Sequence, residues 1–336
     1  MICRRMFCEL DKNCRFRILE RFWLFKIVHV ISTDRSGRDL IFLAGSTASG
    51  KTDLAIELAG RLPVDLISVD SSQVYQGLDI GTAKPTGKIL EEVPHGLIDI
   101  RNLRQSFSAA DFCLEANKLI ENSFEKGRIP LLVGGTMFYF SALLRGLSDL
   151  PPANSALRAR LVEQAKQRGW AFLHARLEQV DPQAAQRIDR HDAQRISRAL
   201  EINLLTDLPV PVATTGNGLI QKGVKVTRLS IAIPDRQLLH QRISKRFQRM
   251  LDDGLVEEVE KLKEQWPQGA TTPALRSVGY RQVWEYLEGR VDYSTMVERA
   301  SAATRRLAKR QLTWLRNEPG ATWFDGTSPT LVTTLC

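Results

Sequence analysis

The sequence predicts an α/β fold in which a parallel β-sheet is flanked by helices and interrupted by an inserted helical domain. Two patterns predict this. From residue 39 onward, short apolar runs alternate with segments of helical spacing, which is typical of a doubly wound sheet. The first run, at 40–44, leads directly into a glycine-rich loop at 45–52. This strand–loop–helix order is that of a phosphate-binding P-loop.

Three strands and two helices are predicted for the first part of the chain. The strands are the apolar runs 40–44, 64–69 and 129–133. One helix follows the glycine-rich loop from 51 to about 61. The other spans 108–126, where Ser108 is the expected N-cap and Asp111 its capping-box partner.

Strand patterns disappear between about 151 and 205, where Ala, Leu, Arg and Gln occur at helical spacing. Residues 146–199 are therefore predicted to form a helical insertion. An alternating, β-branched segment at 224–233 then predicts a further strand. Helices are expected at 238–262 and 280–315.

This pattern divides the chain into a core, an insertion and two terminal segments. The core comprises 39–145 and 200–316. Residues 1–38 are expected to be an extension, either disordered or the product of a start assigned too far upstream, because their basic and apolar residues make a poor signal peptide. Residues 317–336 are expected to form a tail.

The 336-residue chain has a net charge of +9, and its distribution favours an anionic partner. Residues 39–154 hold ten basic and fourteen acidic side chains, whereas 155–198 hold nine and five, and 236–316 hold sixteen and ten. A positive face formed by the later segments would suit nucleic acid. Ordinary solvated helix faces explain the charge equally well.

The spacing of the five cysteines shows no paired CxxC or Cys/His pattern, so neither disulfides nor structural zinc are expected. Beyond residue 40, charged residues interrupt every apolar run before the roughly 18–20 residues that a membrane span requires. A cytoplasmic protein without a membrane partner is therefore expected.

The glycine-rich loop fits the pattern G-x-x-x-x-G-K-[ST] and has the strand-to-helix context that this pattern requires. Its members, the predicted diphosphate- or nucleotide-binding residues, are Gly45, Ser46, Thr47, Ala48, Ser49, Gly50, Lys51 and Thr52. Backbone amides would face phosphate oxygens, Lys51 would neutralise charge, and Thr52 could hold Mg²⁺. Any diphosphate satisfies these amides, ATP included.

The acidic residue that completes such a site is not where nucleotide hydrolases have it. The strand at 129–133 runs into Gly134-Gly135-Thr136 instead of a metal-binding carboxylate. Asp70 ends the second strand, where it could cap the following turn or face a ligand. Because ligands bind beyond the carboxyl ends of parallel strands, Gly45, Asp70 and Gly134 are expected to converge there.

Taken together, these residues resemble the bacterial tRNA dimethylallyltransferases, also called tRNA isopentenyltransferases. The resemblance extends over nearly all of 40–316. The segments that carry it are 45–52, 70–85, 94–100, 134–139, 180–188, 192–201, 246–247, 277–281 and 310–316.

The resemblance implies transfer of a five-carbon allyl group from dimethylallyl diphosphate to the exocyclic amine of the adenosine directly 3′ of the tRNA anticodon. It implies that Asp70 is the catalytic base and that Thr136 contacts the tRNA beside the reacting amine. Arg246 and the loop, with Mg²⁺ on Thr52, would receive the leaving diphosphate. A monomer is implied as well.

The resemblance also implies contacts with the anticodon stem-loop of tRNA. The residues concerned are Asp70, Ser71, Ser72, Gln73, Thr136, Arg158, Gln194, Arg195, Ile196, Ser197, Arg198, Arg276, Ser277, Val278, Gly279, Tyr280 and Arg281. Taken singly, each arginine would more often be a solvated charge or part of a local ion pair. Their concentration in the basic segments favours RNA.

Three positions depart from the family pattern: Ser46 replaces a proline, Gln76 an arginine, and Gly96 one histidine of a pair, leaving His95. None of them removes the base or a phosphate ligand. Two other functions remain open from the residues alone. One is an ATP-dependent small-molecule kinase of adenylate-kinase-like architecture, and the other is a non-catalytic RNA-binding protein with a vestigial loop.

Overall fold

The computed structural model describes residues 38–211, 217–267, 269 and 272–328. It divides into two compact units, the first drawn from Met1–Ala142 and Gly223–Cys336, and the second formed by Leu143–Lys222. The extension predicted at 1–38 lies outside the described residues except for Arg38. The second unit extends beyond the insertion predicted at 146–199 at both ends, and its last helix continues to Thr206.

The first unit is built on a six-stranded parallel sheet of strand order β3-β2-β4-β1-β5-β6. Its strands are β1 (Asp39–Gly45), β2 (Val64–Val69), β3 (His95–Gly96), β4 (Ile129–Gly134), β5 (Lys225–Ala232) and β6 (Thr322–Asp325). This confirms the predicted fold class. The strand β6 lies within the segment 317–336 that the sequence assigned to a tail, so that prediction is corrected for residues 322–325.

Helices flank the sheet and form the second unit. They are α1 (Lys51–Ala59), α2 (Gly87–Glu92), α3 (Ala109–Glu125), α4 (Met137–Arg145), α5 (Ser155–Arg168), α6 (Trp170–Val180), α7 (Pro182–Arg187), α8 (Ala193–Thr206), α9 (Arg236–Asp252), α10 (Leu255–Gln265), α11 (Tyr280–Leu287) and α12 (Tyr293–Arg316). Within the described part of the chain, no helix is both long and apolar enough to cross a membrane.

The central strands are buried on both faces. Almost every residue of β1, β2 and β4 is buried, as expected where helices cover both sides of a parallel sheet. On one face, Leu43, Leu131 and Leu229 pack with Leu54 and Leu58 of α1. This packing fixes the start of α1 at the end of β1.

The predicted capping box of α3 is confirmed. The Ser108 hydroxyl accepts a hydrogen bond from the Asp111 amide, and the Asp111 carboxylate accepts one from the Ser108 amide at 2.8 Å. The four-residue spacing of Phe112, Ala116 and Ile120 then places these side chains in the core. Sequence signals for this helix are local, which is why its start was predictable.

Two helices predicted as continuous are each divided. The segment 238–262 is broken between α9 and α10 at Gly254, whose φ of 98° is left-handed. The segment 280–315 is broken between α11 and α12 at Gly289, with φ of 70°, and Asp292 then caps α12 through a hydrogen bond from the Thr295 amide at 2.7 Å. Glycine adopts this conformation without the steric cost that other residues pay.

The second unit has its own apolar core. Leu161, Leu173, Leu177, Ile196 and Leu200 are all fully buried there. The helix α7 begins at Pro182, directly after Asp181. Asp181 is buried and is its N-cap: Oδ1 accepts a hydrogen bond from the Ala184 amide at 2.9 Å and Oδ2 accepts one from the Val210 amide at 2.7 Å.

Candidate active site

The carboxyl ends of three neighbouring strands meet at one edge of the sheet. Gly134 of β4 pairs with Ala44 of β1 on one side and with Val69 of β2 on the other. Gly45 at the end of β1 and Asp70 directly after β2 therefore lie on either side of Gly134 at this edge, as the sequence predicted. This edge is where doubly wound sheets bind their ligands.

The loop after β1 has the geometry of an anion cradle. Gly50 is the N-cap of α1 with a left-handed φ of 88°, and Ala48 is left-handed at 62°. The Lys51 ammonium donates a hydrogen bond to the Ser46 carbonyl at 3.3 Å, across the loop. Free amides at a helix N-terminus, together with the helix dipole, favour a bound phosphate group.

A cavity of about 310 Å³ opens beside this loop. Its polar wall includes Thr47, Lys51, Thr52, Asp70 and Arg246, and its apolar wall includes Ile243, Phe247, Met250 and Leu307. A second, wider cavity of about 950 Å³ shares Lys51, Thr52 and Arg246 with the first. The first cavity therefore brings cations, a carboxylate and an apolar surface together.

Burial lowers the pKa of both cations of the cavity. Burial lowers the pKa of Lys51 to about 8, the Arg246 charge adds to this lowering, and the Asp70 carboxylate opposes it. Burial also lowers the pKa of Arg246, against the opposing effect of Asp70. Two partly desolvated cations side by side make a site that is stabilised when an anion binds.

We expect the affinity for a diphosphate monoester to weaken as pH rises through about 8. Because the pKa of Lys51 is lowered to about 8, the Lys51 ammonium of the free protein loses a proton in that range. Binding of the anion must then be coupled to uptake of a proton by Lys51. The diphosphate monoester itself is fully ionised there, since its last proton leaves near about pH 6. Calorimetry between pH 7 and pH 9, in buffers of different ionisation enthalpy, should show that binding takes up protons. The Kd should rise by up to tenfold per pH unit, which corresponds to a loss of about 1.4 kcal/mol in binding free energy. A Lys51→Arg variant, which stays charged, should lose the dependence, and a flat wild-type profile would contradict the argument.

Asp70 both caps a turn and faces the cavity. Its Oδ1 accepts hydrogen bonds from the Ser72 amide at 2.8 Å and the Gln73 amide at 3.3 Å. The two interpretations left open by the sequence are thus compatible, because a carboxylate has two oxygens. Among the described residues, Oδ2 has no hydrogen-bond donor. It is the oxygen that can accept a proton from a ligand.

Thr136 lies next to Asp70 through a backbone contact. Its hydroxyl oxygen accepts a hydrogen bond from the Ser71 amide at 3.1 Å, so its own proton is available to a ligand. Gln73 is engaged differently. Its side-chain oxygen accepts from the Ser68 hydroxyl at 2.9 Å, and its nitrogen donates to the Ala83 carbonyl at 3.4 Å. Gln73 therefore holds the loop at Ala83, which lines the cavity.

The predicted RNA-facing segment 276–281 lies mostly at the cavity. Arg276, Ser277, Val278 and Gly279 line it, and Arg281 is exposed. Tyr280 requires a correction, because its side chain is fully buried and its hydroxyl hydrogen-bonds to the Glu258 carboxylate. Burial and the Glu258 charge both raise the pKa of this hydroxyl, so Tyr280 packs the core instead of reaching RNA.

The residues predicted to contact tRNA in the second unit fall into two groups. Gln194 and Arg195 are exposed, and the Arg195 side chain retains 70% of its accessible surface. Ile196 is fully buried, which corrects its prediction as a contact residue, and the neighbouring Ser197 is half-buried.

Arg158 and Arg198 share a partner that the sequence did not reveal. Both guanidinium groups donate to the carboxylate of Glu201, which is fully buried, and the Asn154 amide donates to it as well. Burial opposes ionisation of Glu201, but the donors outweigh it and lower its pKa. The carboxylate therefore holds both arginines in fixed positions.

We expect Glu201→Gln to lower the free energy of unfolding by about 1.5–3 kcal/mol, the range for hydrogen bonds to charged groups. Since the folded pKa lies below the ordinary value of 4.5, this stabilisation is present above that value and is lost as pH falls through the folded pKa. Urea denaturation at pH 7 and at pH 4 should thus show a smaller difference between wild type and variant at pH 4. Glu178→Gln, at an exposed position, is the control, and equal stability of all three proteins at pH 7 would contradict the argument.

The three departures from the family pattern leave the cavity residues in place. The Ser46 hydroxyl is buried and has no hydrogen-bond partner among the described residues. Gln76 donates to the Asp99 carbonyl at 3.0 Å. A Cβ at Gly96 would lie 2.6 Å from the Leu119 side chain, so glycine suits the packing here. His95 hydrogen-bonds to the Val93 carbonyl, and burial lowers its pKa, as expected of a structural histidine.

The chain is similar to known proteins over most of its length. Residues 73–318 match the family model of IPP transferases. A tRNA dimethylallyltransferase of Thiobacillus denitrificans is 51% identical over 287 residues, which cover 85% of this chain and 91% of that protein. The crystal structure of a tRNA isopentenylpyrophosphate transferase from Bacillus halodurans is similar with a TM-score of 0.61 and 37% identity, covering 86% of this chain and 90% of that one.

A eukaryotic dimethylallyltransferase solved while acting on tRNA has the same fold, with a TM-score of 0.70 and 24% identity over 87% of this chain and 74% of that one. None of these proteins is a small-molecule kinase, so that alternative is not favoured. The chain belongs to the IPP transferase family, that of the tRNA dimethylallyltransferases.

Proposed function

We propose that this protein transfers a dimethylallyl group from dimethylallyl diphosphate to N6 of the adenosine directly 3′ of the anticodon in tRNA. The observation that supports this best is the composition of the 310 Å³ cavity, in which a phosphate loop, a carboxylate and an apolar wall line one space. A diphosphate needs the loop, a five-carbon chain needs the apolar wall, and an amine nucleophile needs the carboxylate.

The acceptor amine is activated by Asp70. Adenine N6 is a weak nucleophile because its lone pair is delocalised into the ring. As N6 attacks C1 of the allyl group, a C–N bond forms, the C1–O bond breaks, and the electron pair leaves with the diphosphate. Asp70 Oδ2 takes the N6 proton, while the Thr136 hydroxyl donates to the acceptor and orients it.

The leaving diphosphate is received by the loop amides, Lys51 and Arg246, which counter its charge as the bond breaks. Mg²⁺ fits this donor set, because the ion favours a hydroxyl and substrate phosphate oxygens over a cage of protein ligands. The described residues contain no cluster of three acidic, histidine or cysteine ligands, so Thr52 would hold it together with the diphosphate. When bound there, the ion would supply further charge neutralisation.

The target base must leave its stack to reach a cavity lined by Asp70 and Arg276. Single-stranded loops allow this more readily than duplexes, which favours the anticodon loop as the substrate region. Arg158 and Arg195, with the neutral amide of Gln194 beside them, offer an exposed polar surface in the second unit whose two guanidinium groups suit phosphates of the stem-loop. A monomer in the cytoplasm is part of the same proposal.

The test incubates the purified chain with Mg²⁺, dimethylallyl diphosphate and an unmodified tRNA transcript that carries adenosine 3′ of the anticodon. The tRNA is then digested to nucleosides for mass spectrometry. We expect one dimethylallyl group per tRNA on adenosine, and none on a transcript in which that adenosine is replaced by guanosine.

Prenylation elsewhere in the tRNA would contradict the acceptor assignment. An absence of product, together with ATP consumption when a small hydroxyl acceptor is added, would instead favour a kinase. Omitting Mg²⁺ and adding a chelator should reduce the rate, and an unchanged rate would remove the ion from the proposal.

A further inference from the structure

Gln311 of α12 connects two parts of the cavity that are far apart in sequence. Its side-chain Oε1 accepts a hydrogen bond from the Thr47 amide at 2.9 Å, and its Nε2 donates one to the Gly135 carbonyl at 2.8 Å. The side chain lines the cavity and only 8% of the residue is exposed. Both ends of one carboxamide are therefore used on backbone groups.

The bridge is specific for this residue type. Oε1 must accept and Nε2 must donate, which no other side chain of the same length can do. The Gly135 side of the contact is equally restricted, because a Cβ there would lie 2.5 Å from Nε2. A glycine at 135 thus allows the carboxamide to approach.

The two backbone groups belong to opposite halves of the reaction. Thr47 belongs to the loop assigned to the diphosphate, and Gly135 precedes Thr136, whose hydroxyl bonds to the Ser71 amide beside Asp70. The distance between donor carbon and acceptor amine depends on how these halves are spaced. Rates fall steeply when reacting groups are misplaced, by about 100-fold for a 1 Å error.

We propose that Gln311 is a positioning residue that sets the spacing between the diphosphate loop and the Gly134-Gly135-Thr136 turn. The inference rests on the proposed function for its effect on rate. It concerns the alignment of bound substrates, because the remaining loop amides, Lys51 and Arg246 still hold the diphosphate when the bridge is absent.

The test compares wild type with Gln311→Met, which keeps the length and apolar volume but loses both hydrogen bonds. Under single-turnover conditions with saturating tRNA, we expect the rate of prenyl transfer to fall by about 10- to 100-fold. The Kd for dimethylallyl diphosphate, measured without tRNA, should change less than about threefold. Gln237→Met, on an exposed part of α9, is the matched control and should behave as wild type.

A double-mutant cycle tests the contact itself. Gly135→Ala in the wild-type background should lower the rate of prenyl transfer by most of the factor that Gln311→Met does, because the added Cβ displaces Nε2. In a Gln311→Ala background, Gly135→Ala should lower the rate little further, since the Nε2 atom that the new Cβ would meet is absent. Additive effects of the two changes would overturn the proposal.

Hydrogen exchange provides a measurement that does not depend on activity. The Thr47 amide should exchange faster in Gln311→Met than in wild type, at equal thermal stability. Unchanged exchange, or a rate loss fully explained by a weaker Kd or less folded protein, would overturn the positioning role. If wild type itself transferred no prenyl group, the proposed function would fail, while the exchange result would still decide whether Gln311 couples the loop to the turn.

Discussion

Asp70→Asn is expected to lower the rate of prenyl transfer by about 100- to 10,000-fold, the usual contribution of a general base. The substitution keeps the size of the side chain, and its carbonyl oxygen can still accept from the Ser72 amide, which Oδ1 does now at 2.8 Å. The turn after β2 is thus preserved. What is lost is a group that can take the N6 proton.

Single-turnover transfer with saturating tRNA and dimethylallyl diphosphate measures this effect directly. Asp235→Asn is the matched control, since Asp235 is an exposed N-cap of α9 and asparagine caps equally well. Dissociation constants of both substrates should remain within a few-fold of wild type. If Asp70→Asn retained the wild-type rate, Asp70 would be excluded as the base, and its role would be limited to capping the turn after β2.

Gly134→Ala is expected to lower the free energy of unfolding by about 3 kcal/mol, the upper end of what overpacking costs. Its added Cβ would lie 2.1 Å from the Val69 carbonyl oxygen and 2.8 Å from the Val69 Cα. Both are backbone atoms of the adjacent strand, so no side-chain rotation relieves the clash. The strands β2 and β4 would have to separate where Asp70 and Thr136 leave the sheet.

Chemical denaturation of the two proteins measures this loss, and prenyl transfer should fall with it even in the protein that remains folded. Gly60→Ala is the control, because Gly60 has an ordinary helical φ of −72° and its nearest heavy atom would lie 3.5 Å from the new Cβ. That control should be neutral or slightly stabilising. Equal stability of Gly134→Ala and wild type would show that the sheet edge adapts without cost.

The parts of the fold that could be predicted are those specified by neighbouring residues. The central strands are apolar because helices cover both faces, and Ser108 with Asp111 starts α3 by hydrogen bonds three residues apart. Breaks at Gly254 and Gly289 were missed, since the helical spacing of apolar residues continues on either side. The short strand β6 was missed because two of its four residues are exposed and no apolar run marks it.

The same distinction applies to the site. The phosphate loop is a continuous motif, and Asp70 follows a recognisable strand. Gln311, in contrast, is separated by 264 residues in sequence from Thr47, its hydrogen-bond partner. No local sequence pattern predicts such a pair. Glu201 lies 43 residues from Arg158, so the arginines could be recognised as basic but not as members of an ion-pair cluster.

A nascent chain emerging from a ribosome exposes β1 long before its neighbours exist. In the finished sheet β1 lies between β4 and β5, and the backbone of Gly326 passes so close to the loop that a Cβ there would lie 2.5 Å from the Ser49 carbonyl oxygen. At about 5–20 residues per second, β5 follows β1 by on the order of ten seconds or more. The apolar run 40–44 can pair with β4 earlier, but its other edge has no strand partner until β5 is made. The phosphate loop, although translated early, thus acquires its packing against Gly326 only when the last strand of the sheet has been made.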